Sequence, residues 1–305
     1  MNNVFSDIIA ADAEKINCFL EDCAQLEIGE NSPWEKVLEA EKYALSASGK
    51  RIRPVLAVEF YKLFSGNDTA PDYIYEAACT LEMTHTFSLI HDDMPEMDDD
   101  DLRRGRPATH IAYGNAIGLL AGDGLAILPY EILSQMALDG KIPSETAIKL
   151  INTLSKNAGN RGMIAGQVLD LWSEERSDGI TDLFLRKMSH LKTGRMLIAS
   201  CIFGAILAGA DDKQLKSAEI YAENVGLAFQ IVDDVLDVTS TAEDLGKPIG
   251  SDIDRKKSTF ADILGIDGAL NEAERLSKLA ADEISKYPRS ELLCEFALSL
   301  AHRKN

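Results

Sequence analysis

The sequence predicts an all-α protein that forms a single domain over residues 1–305. Apolar residues recur at three- and four-residue spacing along most of the chain, strand-like alternation is scarce, and glycine and proline fall mainly between the periodic segments. Of the 305 residues, 46% are hydrophobic, which is enough for a substantial core. Apart from two aspartate-rich motifs, we find no repeat and no linker that would divide the chain.

The predicted helices begin with segment 32–48. It opens with Ser32-Pro33-Trp34-Glu35, a capping box with proline at the first helical position, and Gly49 ends it. The same apolar periodicity predicts the other helices at 51–65, 72–94, 115–138, 144–157, 161–173, 181–208, 213–238, 257–265, 268–286 and 289–301. Three of these are long and strongly apolar, so we expect them to be buried in the middle of a bundle: 72–94, 181–208 and 213–238.

Charge and composition exclude several classes of partner. The net charge of −19 argues against nucleic acid and against an anionic membrane surface, because both favour clustered basic residues. The N-terminus lacks the pattern of a secretory signal, and we find no uninterrupted apolar stretch of about 18 residues. Five cysteines without a CxxC pair are typical of free thiols in a reducing compartment. We therefore expect a cytoplasmic protein without stable membrane association.

The first aspartate-rich motif, HDDMPEMDDDDLRRGR, occupies residues 91–106. So many carboxylates repel one another unless hard cations neutralise them, and Mg²⁺ prefers oxygen ligands that it often shares with phosphates. Asp92 and Asp98 are six residues apart, which does not return to one helical face, but Pro95 prevents a regular turn between them. We expect the helix to break there and to bring Asp98 back toward Asp92 and Asp93. On this motif alone, a solubilising charged loop is a comparable interpretation.

The second motif, FQIVDDVLD, occupies residues 229–237. Asp233 and Asp237 are four apart and share one helical face, with Asp234 beside them. They lie near a helix C-terminus, where the helix dipole disfavours anions. A solvated acidic face is the weaker interpretation, because the surrounding residues are apolar. Together the motifs predict a metal–diphosphate site with one carboxylate cluster on each side.

Two groups of basic residues fit that site. Arg103, Arg104 and Arg106 follow the first acidic cluster and can bind phosphate oxygens, form local salt bridges to the acids, or divide between these roles. The segment GKRIRP, residues 49–54, places three basic residues at a helix junction in an acidic chain. This pattern suggests an anion site that uses the helix N-terminus, with ordinary surface charges as the alternative.

Further candidates lie elsewhere along the chain. Lys192 is inside an apolar helix and needs a partner, which can be a structural acid or a phosphate. Lys247 and Lys257 follow the second motif, in a segment that could equally be a solvated loop. His85 and His91 precede the first cluster. A lone histidine is more often a satisfied polar group than a ligand, but His85 could face the site.

Six motifs appear in the order of a known family, spread over about two-thirds of the chain: GKRIRP, SLIHDDMPEMDDDDLRRGRPATH, GQVLD, KTG, FQIVDDVLD and GKPIGSD. The chain resembles the trans-isoprenyl diphosphate synthases of the polyprenyl synthetase family, most closely the bacterial farnesyl diphosphate synthases. The resemblance implies mostly antiparallel helices around a deep central apolar cavity, and a homodimer. It also implies Mg²⁺ as the cofactor, three ions per active site.

The resemblance assigns roles to individual residues. Six aspartates would bind Mg²⁺: Asp92, Asp93, Asp98, Asp233, Asp234 and Asp237. The allylic diphosphate would be held by Arg103, Lys192, Thr193, Gln230, Lys247 and Lys257. Isopentenyl diphosphate would be held by Lys50, Arg53, His85 and Arg104, and Gln167 would border the reacting carbons. The residues expected to carry catalysis are Asp92, Asp93, Asp98, Arg103, Lys192, Asp233 and Lys247.

The implied reaction follows from these groups. Cations draw charge onto the leaving diphosphate, the allylic C–O bond ionises, isopentenyl diphosphate attacks the cation, and a proton is lost. Phe87 lies five residues before Asp92, a little over one turn below the carboxylates, with Ser88 beside it. By resemblance this position helps to set the cavity floor, although Phe87 could also be a plain core aromatic. We expect farnesyl diphosphate as the product, with geranylgeranyl diphosphate as the nearest alternative.

Three other functions account for only part of the sequence. A non-catalytic regulatory subunit could lose its aspartates, whereas both motifs are intact here. A terpene cyclase shares the helical fold but needs no isopentenyl diphosphate site, which GKRIRP and Arg104 indicate. An acidic Mg²⁺-binding scaffold would leave the basic residues unexplained.

Overall fold

A computed structural model describes residues 3–23, 32–174, 176, 180–239 and 258–302. The described helices are α1 (Asn3–Cys23), α2 (Glu35–Leu45), α3 (Ile52–Ser65), α4 (Asp72–Asp92), α5 (Thr109–Tyr113), α6 (Asn115–Leu138), α7 (Ser144–Ala158), α8 (Met163–Glu174), α9 (Asp182–Ser189), α10 (Arg195–Leu207), α11 (Asp212–Thr239), α12 (Phe260–Ile284) and α13 (Glu291–Leu300). A π-helical segment, His190–Gly194, joins α9 to α10. Within the described residues, the strands are β1 (Leu102–Arg103) and β2 (Arg106–Pro107), an antiparallel pair. The all-α prediction is confirmed.

The chain forms two compact units. The N-terminal unit comprises residues 7–58 and 70–151, and the C-terminal unit comprises residues 59–69 and 152–305 together with the first six. The prediction of a single domain stays a prediction.

In the N-terminal unit, α4 is the central helix. Residues 77–84 of α4 are all buried, so two of its turns have no face toward solvent, as the apolar segment 72–94 predicts. Helix α1, to which the sequence analysis assigns no helix, packs on α4. The Tyr75 hydroxyl donates to Asp12 at 2.6 Å, and the rings of Phe19 and Tyr75 stack with centroids 6.2 Å apart. Helix α2 begins at Glu35 rather than at Pro33, although the Glu35 carboxylate accepts from the Ser32 amide at 3.1 Å, as a capping box requires.

In the C-terminal unit, α10 and α11 carry much of the core. The Tyr221 hydroxyl of α11 donates to the Leu293 carbonyl at 2.8 Å, and its ring meets Phe60 edge-on at 5.2 Å. Helix α12 begins with a capping box formed by Thr259 and Asp262 and is kinked at Gly265. That kink lies where the sequence predicts two separate helices.

Two helices of the described chain are long and apolar enough to cross a membrane by length and composition alone: Asn115–Leu138 and Asp182–Leu207. Core helices of soluble proteins meet the same criteria, and 56% of the apolar window in the second helix is buried. The expectation that the protein does not associate stably with membranes therefore stays a prediction.

Candidate active site

The first acidic motif folds back on itself directly after α4. The helix ends at Asp92, and the backbone amide of Asp98 donates to the Asp92 carbonyl at 2.8 Å. The amides of Met97 and Asp99 both donate to the Met94 carbonyl, at 2.9 and 3.1 Å. A tight loop around Pro95 therefore returns Asp98 to the end of α4, as the sequence predicts.

Asp93, directly after α4, forms an ion pair with Arg103 of β1. The Arg103 Nε donates to Asp93 Oδ1 at 2.8 Å, its terminal nitrogen contacts the same oxygen, and that nitrogen also reaches Asp100 at 3.3 Å. Burial raises the pKa of Asp93 above its ordinary value, and the bond from Arg103 opposes this shift. The pair neutralises one carboxylate of the cluster, while Asp92 and Asp98 are only partly buried.

His85 lies on α4, two turns before the helix ends, where the charges of four arginines act on it. Burial, followed by the charges of Arg53, Arg104, Arg103 and Arg51, holds the pKa of His85 well below its ordinary value. The imidazole is therefore neutral near pH 7 and offers one N–H donor. Several arginines close to one neutral donor form an environment that favours a bound anion.

Arg51 has a structural role, which separates it from Lys50 and Arg53, the two residues of GKRIRP that the resemblance assigns to isopentenyl diphosphate. Its side chain is buried, and Nε donates to Asn17 at 2.8 Å. One terminal nitrogen donates to Glu82 at 2.7 Å, and the other donates to the carbonyls of Leu45 and Ala47 at 2.7 and 2.9 Å. Because four of the five N–H donors of Arg51 are committed, the better candidates for a ligand are the other two basic residues of the motif: Lys50, which is exposed, and Arg53, which is partly buried.

The three arginines at the end of the first motif have different partners. Some of them form local contacts within the protein, which is one of the roles that the sequence leaves open. Arg104 lies 3.6 Å from Glu82, and Arg106 stacks over the Tyr43 ring at 4.0 Å and donates to Ser46 at 3.3 Å. The Tyr43 hydroxyl donates to the Pro107 carbonyl at 2.8 Å. These contacts fix the β1–β2 hairpin on α2, and Arg106 serves as its anchor.

His91 faces α6 and is a satisfied polar group. Its Nε2 lies 3.2 Å from the Leu119 carbonyl and 3.7 Å from Asp123. Its ring meets Phe87 at a centroid distance of 5.9 Å. Phe87 is partly buried, and the Ser88 hydroxyl donates to the His85 carbonyl at 2.8 Å. The chain-length role of Phe87 and Ser88 stays a prediction.

In the C-terminal unit, Lys192 and Thr193 lie on the π-helical segment. Such segments often occur at functional sites, because one extra residue per turn redirects the side chains. Lys192 Nζ donates to the buried Asp170 at 2.5 Å. This acid partner is one of the two that the sequence leaves open for Lys192, and it belongs to the GQVLD motif.

Gly166 explains how α8 approaches the π segment. A Cβ at this position would lie 2.1 Å from the backbone nitrogen of Lys192, so only glycine allows this contact. The next residue, Gln167, has a buried Nε2 that has no hydrogen-bond partner among the described residues. A buried amide donor of this kind favours a ligand with acceptor atoms.

A chain of hydrogen bonds links the π segment to the second acidic motif. The Thr193 hydroxyl donates to Gln230 at 3.1 Å, and Gln230 donates to Asp234 at 2.9 Å. The other Asp234 oxygen accepts from the Phe260 amide at 2.9 Å, at the start of α12. Asp234 therefore supports the local fold, whereas Asp233 is only partly buried on the same helix.

The acidic residues fit Mg²⁺ by their chemistry. Within the described ranges, no three Asp, Glu, His or Cys side chains converge to hold an ion without other ligands. Mg²⁺ is usually bound by one or two carboxylates together with waters and substrate phosphates. The oxygen ligands at the two motifs suit such an ion, and the six metal-binding assignments stay predictions. Lys247 and Lys257 lie outside the described residues.

Sequence reasoning did not identify two acids that contact the predicted binding residues. Glu82 lies on α4 against Arg51 and Arg104, and Asp170 lies on α8 against Lys192. The signal for Asp170 was its position three residues after Gln167, one turn along the same helix. For Glu82, the signal was an acid within a run of apolar and small residues, 77–84, where a carboxylate requires a partner.

Comparisons with known proteins agree with this geometry. The farnesyl diphosphate synthase of Haemophilus influenzae is 41% identical to this chain over 286 residues, which cover 93% of each protein. The geranylgeranyl diphosphate synthase of Cyanophora paradoxa is 42% identical over 244 residues, 80% of this chain and 79% of that one. The structure of Helicobacter pylori geranyltransferase complexed with magnesium and isoprenyl diphosphate matches with a TM-score of 0.80 at 29% identity, covering 99% of this chain and 98% of that one. The family model "Polyprenyl synthetase" matches residues 35–291, and the chain belongs to that family.

Proposed function

We propose that this member of the polyprenyl synthetase family is a Mg²⁺-dependent prenyltransferase that condenses isopentenyl diphosphate with an allylic diphosphate. The observation that carries the proposal is that the charges of Arg53, Arg103 and Arg104 all act on His85, and so lower its pKa, on the helix that ends in the first acidic motif. Cations and carboxylates so close together suit a diphosphate and its metal ions.

The described residues would bind one or other of the two substrates, or the metal. Lys50, Arg53, His85 and Arg104 would hold isopentenyl diphosphate. Arg103, Lys192, Thr193 and Gln230 would hold the allylic diphosphate, with Gln167 beside the reacting carbons. Mg²⁺, when bound by Asp92, Asp93, Asp98, Asp233, Asp234 and Asp237, would supply positive charge for the leaving diphosphate.

The chain's own groups would then serve an ionisation mechanism. Lys192 and Arg103 would stabilise charge on the departing diphosphate, which requires that each exchanges its present acid partner for the ligand. The allylic cation would be captured at C1 by the double bond of isopentenyl diphosphate, and a proton would leave to the released diphosphate. Apolar walls must exclude water, because water would hydrolyse the cation.

A direct test measures how the purified protein adds labelled isopentenyl diphosphate to geranyl diphosphate. We expect elongation with Mg²⁺ and none after chelation by EDTA. If the folded protein with Mg²⁺ incorporates no label, the proposed activity is wrong, and a regulatory subunit becomes the better interpretation.

The product we propose is (2E,6E)-farnesyl diphosphate. Its support is Phe87, a bulky ring one turn below the first carboxylates that is held against His91. Geranylgeranyl diphosphate is the second candidate, because synthases of that product are as similar to this chain as farnesyl diphosphate synthases are.

Replacing Phe87 by alanine is expected to lengthen the main product by at least one five-carbon unit, because removal of the ring deepens the space for the growing tail. Product alcohols separated by chromatography would show the change. Phe64→Ala is the matched control, because Phe64 packs on Tyr287 instead, and we expect its product to be unchanged. An unchanged product from the Phe87 variant would mean that another residue forms the floor.

We also propose a cytoplasmic homodimer. The described cysteines Cys18, Cys79, Cys201 and Cys294 are free thiols, as expected in a reducing compartment. On helix α6 the apolar residues Leu120, Ile127 and Leu138, spaced seven and eleven residues apart on one face, are 50%, 65% and 80% exposed, with the exposed Glu131 between the last two. A second copy of the chain would cover this face.

Replacing Ile127 by aspartate is expected to shift the protein from dimer to monomer, because a charge at the centre of an apolar interface loses solvation on assembly. Sedimentation velocity at several concentrations would measure the shift. Leu183→Asp is the matched control, because Leu183 is also a largely exposed apolar residue, at 77%, but lies on α9. A wild-type protein that sediments as a monomer would contradict the dimer, and a dimeric Ile127 variant would exclude this face.

A further inference from the structure

Glu82 joins two arginines of the N-terminal unit, Arg51 and Arg104. It is 1% exposed and falls within the buried run 77–84 of α4. A buried carboxylate is costly unless it is paired and hydrogen-bonded. The same oxygen, Oε1, accepts from Arg51 at 2.7 Å and lies 3.6 Å from Arg104.

The two arginines that meet at Glu82 share an unusual backbone conformation. Arg51 has φ 48° and Arg104 has φ 53°, in the left-handed region that residues other than glycine seldom adopt. Such a conformation costs on the order of 1–3 kcal/mol and persists only where the surroundings impose it. Two residues in this costly conformation direct their side chains at the same carboxylate. We take this as a sign that the positions of their guanidinium groups matter for function.

The two arginines are held differently. Arg51 is fixed by Asn17, Glu82 and two backbone carbonyls, so it neutralises Glu82 and commits four of its five N–H donors within the protein. Arg104 has the longer contact to Glu82, and burial lowers its pKa although Glu82 opposes the shift. One buried carboxylate thus faces two guanidinium groups. Its single negative charge balances only one of them, so the positive charge of the other can attract an anion.

Gly49 limits where the Arg104 side chain can lie. A Cβ at Gly49 would be 3.0 Å from the Arg104 Cζ and from one terminal nitrogen. The guanidinium is therefore confined between the Gly49 backbone and Glu82. His85, one turn after Glu82 on α4, senses the Arg104 charge.

We infer that Glu82 is a positioning residue: paired with Arg51, it orients the Arg104 guanidinium for the diphosphate of isopentenyl diphosphate and so sets the affinity for that substrate. This inference rests on the proposed function. In this role Glu82 contacts neither substrate. Binding of the allylic diphosphate is therefore expected to be largely independent of Glu82.

The test is Glu82→Gln, which keeps the side-chain size and one acceptor oxygen but removes the charge. We expect KM for isopentenyl diphosphate to rise about tenfold or more, while KM for the allylic substrate and kcat change by less than about threefold. The matched control is Glu59→Gln, in which another buried glutamate loses its pairing with Lys62, with no change expected in either KM. Calorimetric titration of the folded variants with isopentenyl diphosphate alone provides an independent affinity.

A second variant keeps the inference testable if the Glu82 variant does not fold. Gly49→Ala displaces Arg104 from the opposite side without altering Glu82, and we expect the same selective rise in KM for isopentenyl diphosphate, by about threefold or more. Unchanged KM values, or equal rises for both substrates, in an active background would overturn the inference. A wild-type protein without activity would instead refute the proposed function, so the two failures are distinguishable.

Discussion

Asp233→Ala is expected to lower kcat at least about a hundredfold while the protein remains folded. Asp233 lies on α11 within the second acidic motif and is only partly buried. Its neighbour Asp234, by contrast, accepts bonds from Gln230 and the Phe260 amide. The lost interaction would be with the metal and with the charge that develops on the leaving diphosphate, so the loss appears in turnover.

The measurement is steady-state turnover at saturating Mg²⁺ and substrates, with far-ultraviolet circular dichroism to confirm folding. Asp212→Ala is the matched control, since Asp212 is an exposed acid in the first turn of the same helix. We expect that control to retain activity within about twofold, as a surface acid outside the site. Near-wild-type turnover in the Asp233 variant would defeat the assignment of the second motif to the metal.

Arg51→Met is expected to lower the free energy of unfolding by about 3–5 kcal/mol, because it leaves the Glu82 carboxylate buried without its closest partner. Both side chains of this pair are almost fully buried, so solvent screening is weak. The variant also loses the bonds to Asn17 and to two carbonyls, which join α1 to the end of α2.

Urea denaturation followed by circular dichroism would measure this loss. The double variant Arg51→Met/Glu82→Met separates the buried charge from lost packing, and it should recover much of the stability because the uncompensated carboxylate is gone. A loss below about 1 kcal/mol in the single variant would show that Arg51 is not the structural residue its contacts indicate.

The periodicity of apolar residues was sufficient to predict most helices, because helices with a buried face carry that pattern in the sequence itself. Helix α1 was not predicted. Its position depends on contacts with α4, such as the buried Ile16 and the bond between Asp12 and Tyr75, and a helix held mainly by tertiary packing has a weak local signal. The π segment was also not predicted, since its geometry depends on the close approach of Gly166 to Lys192.

The types of residue at the candidate site were predictable from the sequence, but the partners that each residue contacts were not. The return of Asp98 to Asp92 followed from Pro95 and from the spacing. The basic residues were harder to separate, because Arg51, Arg53, Arg103, Arg104 and Arg106 carry the same charge in the sequence. Burial and geometry separate them: Arg51 pairs with Glu82, Arg103 with Asp93, and Arg106 stacks on Tyr43. Such pairings depend on long-range contacts that no local pattern encodes.

Identification of the products formed from isopentenyl and dimethylallyl diphosphates would test the central claim most directly. The purified protein would be incubated with both substrates and Mg²⁺, the products dephosphorylated, and the alcohols identified by mass spectrometry. Farnesol as the main alcohol is the predicted result, and geranylgeraniol would keep the mechanism but correct the chain length. A folded protein that forms no elongated alcohol in the presence of Mg²⁺ would contradict the account.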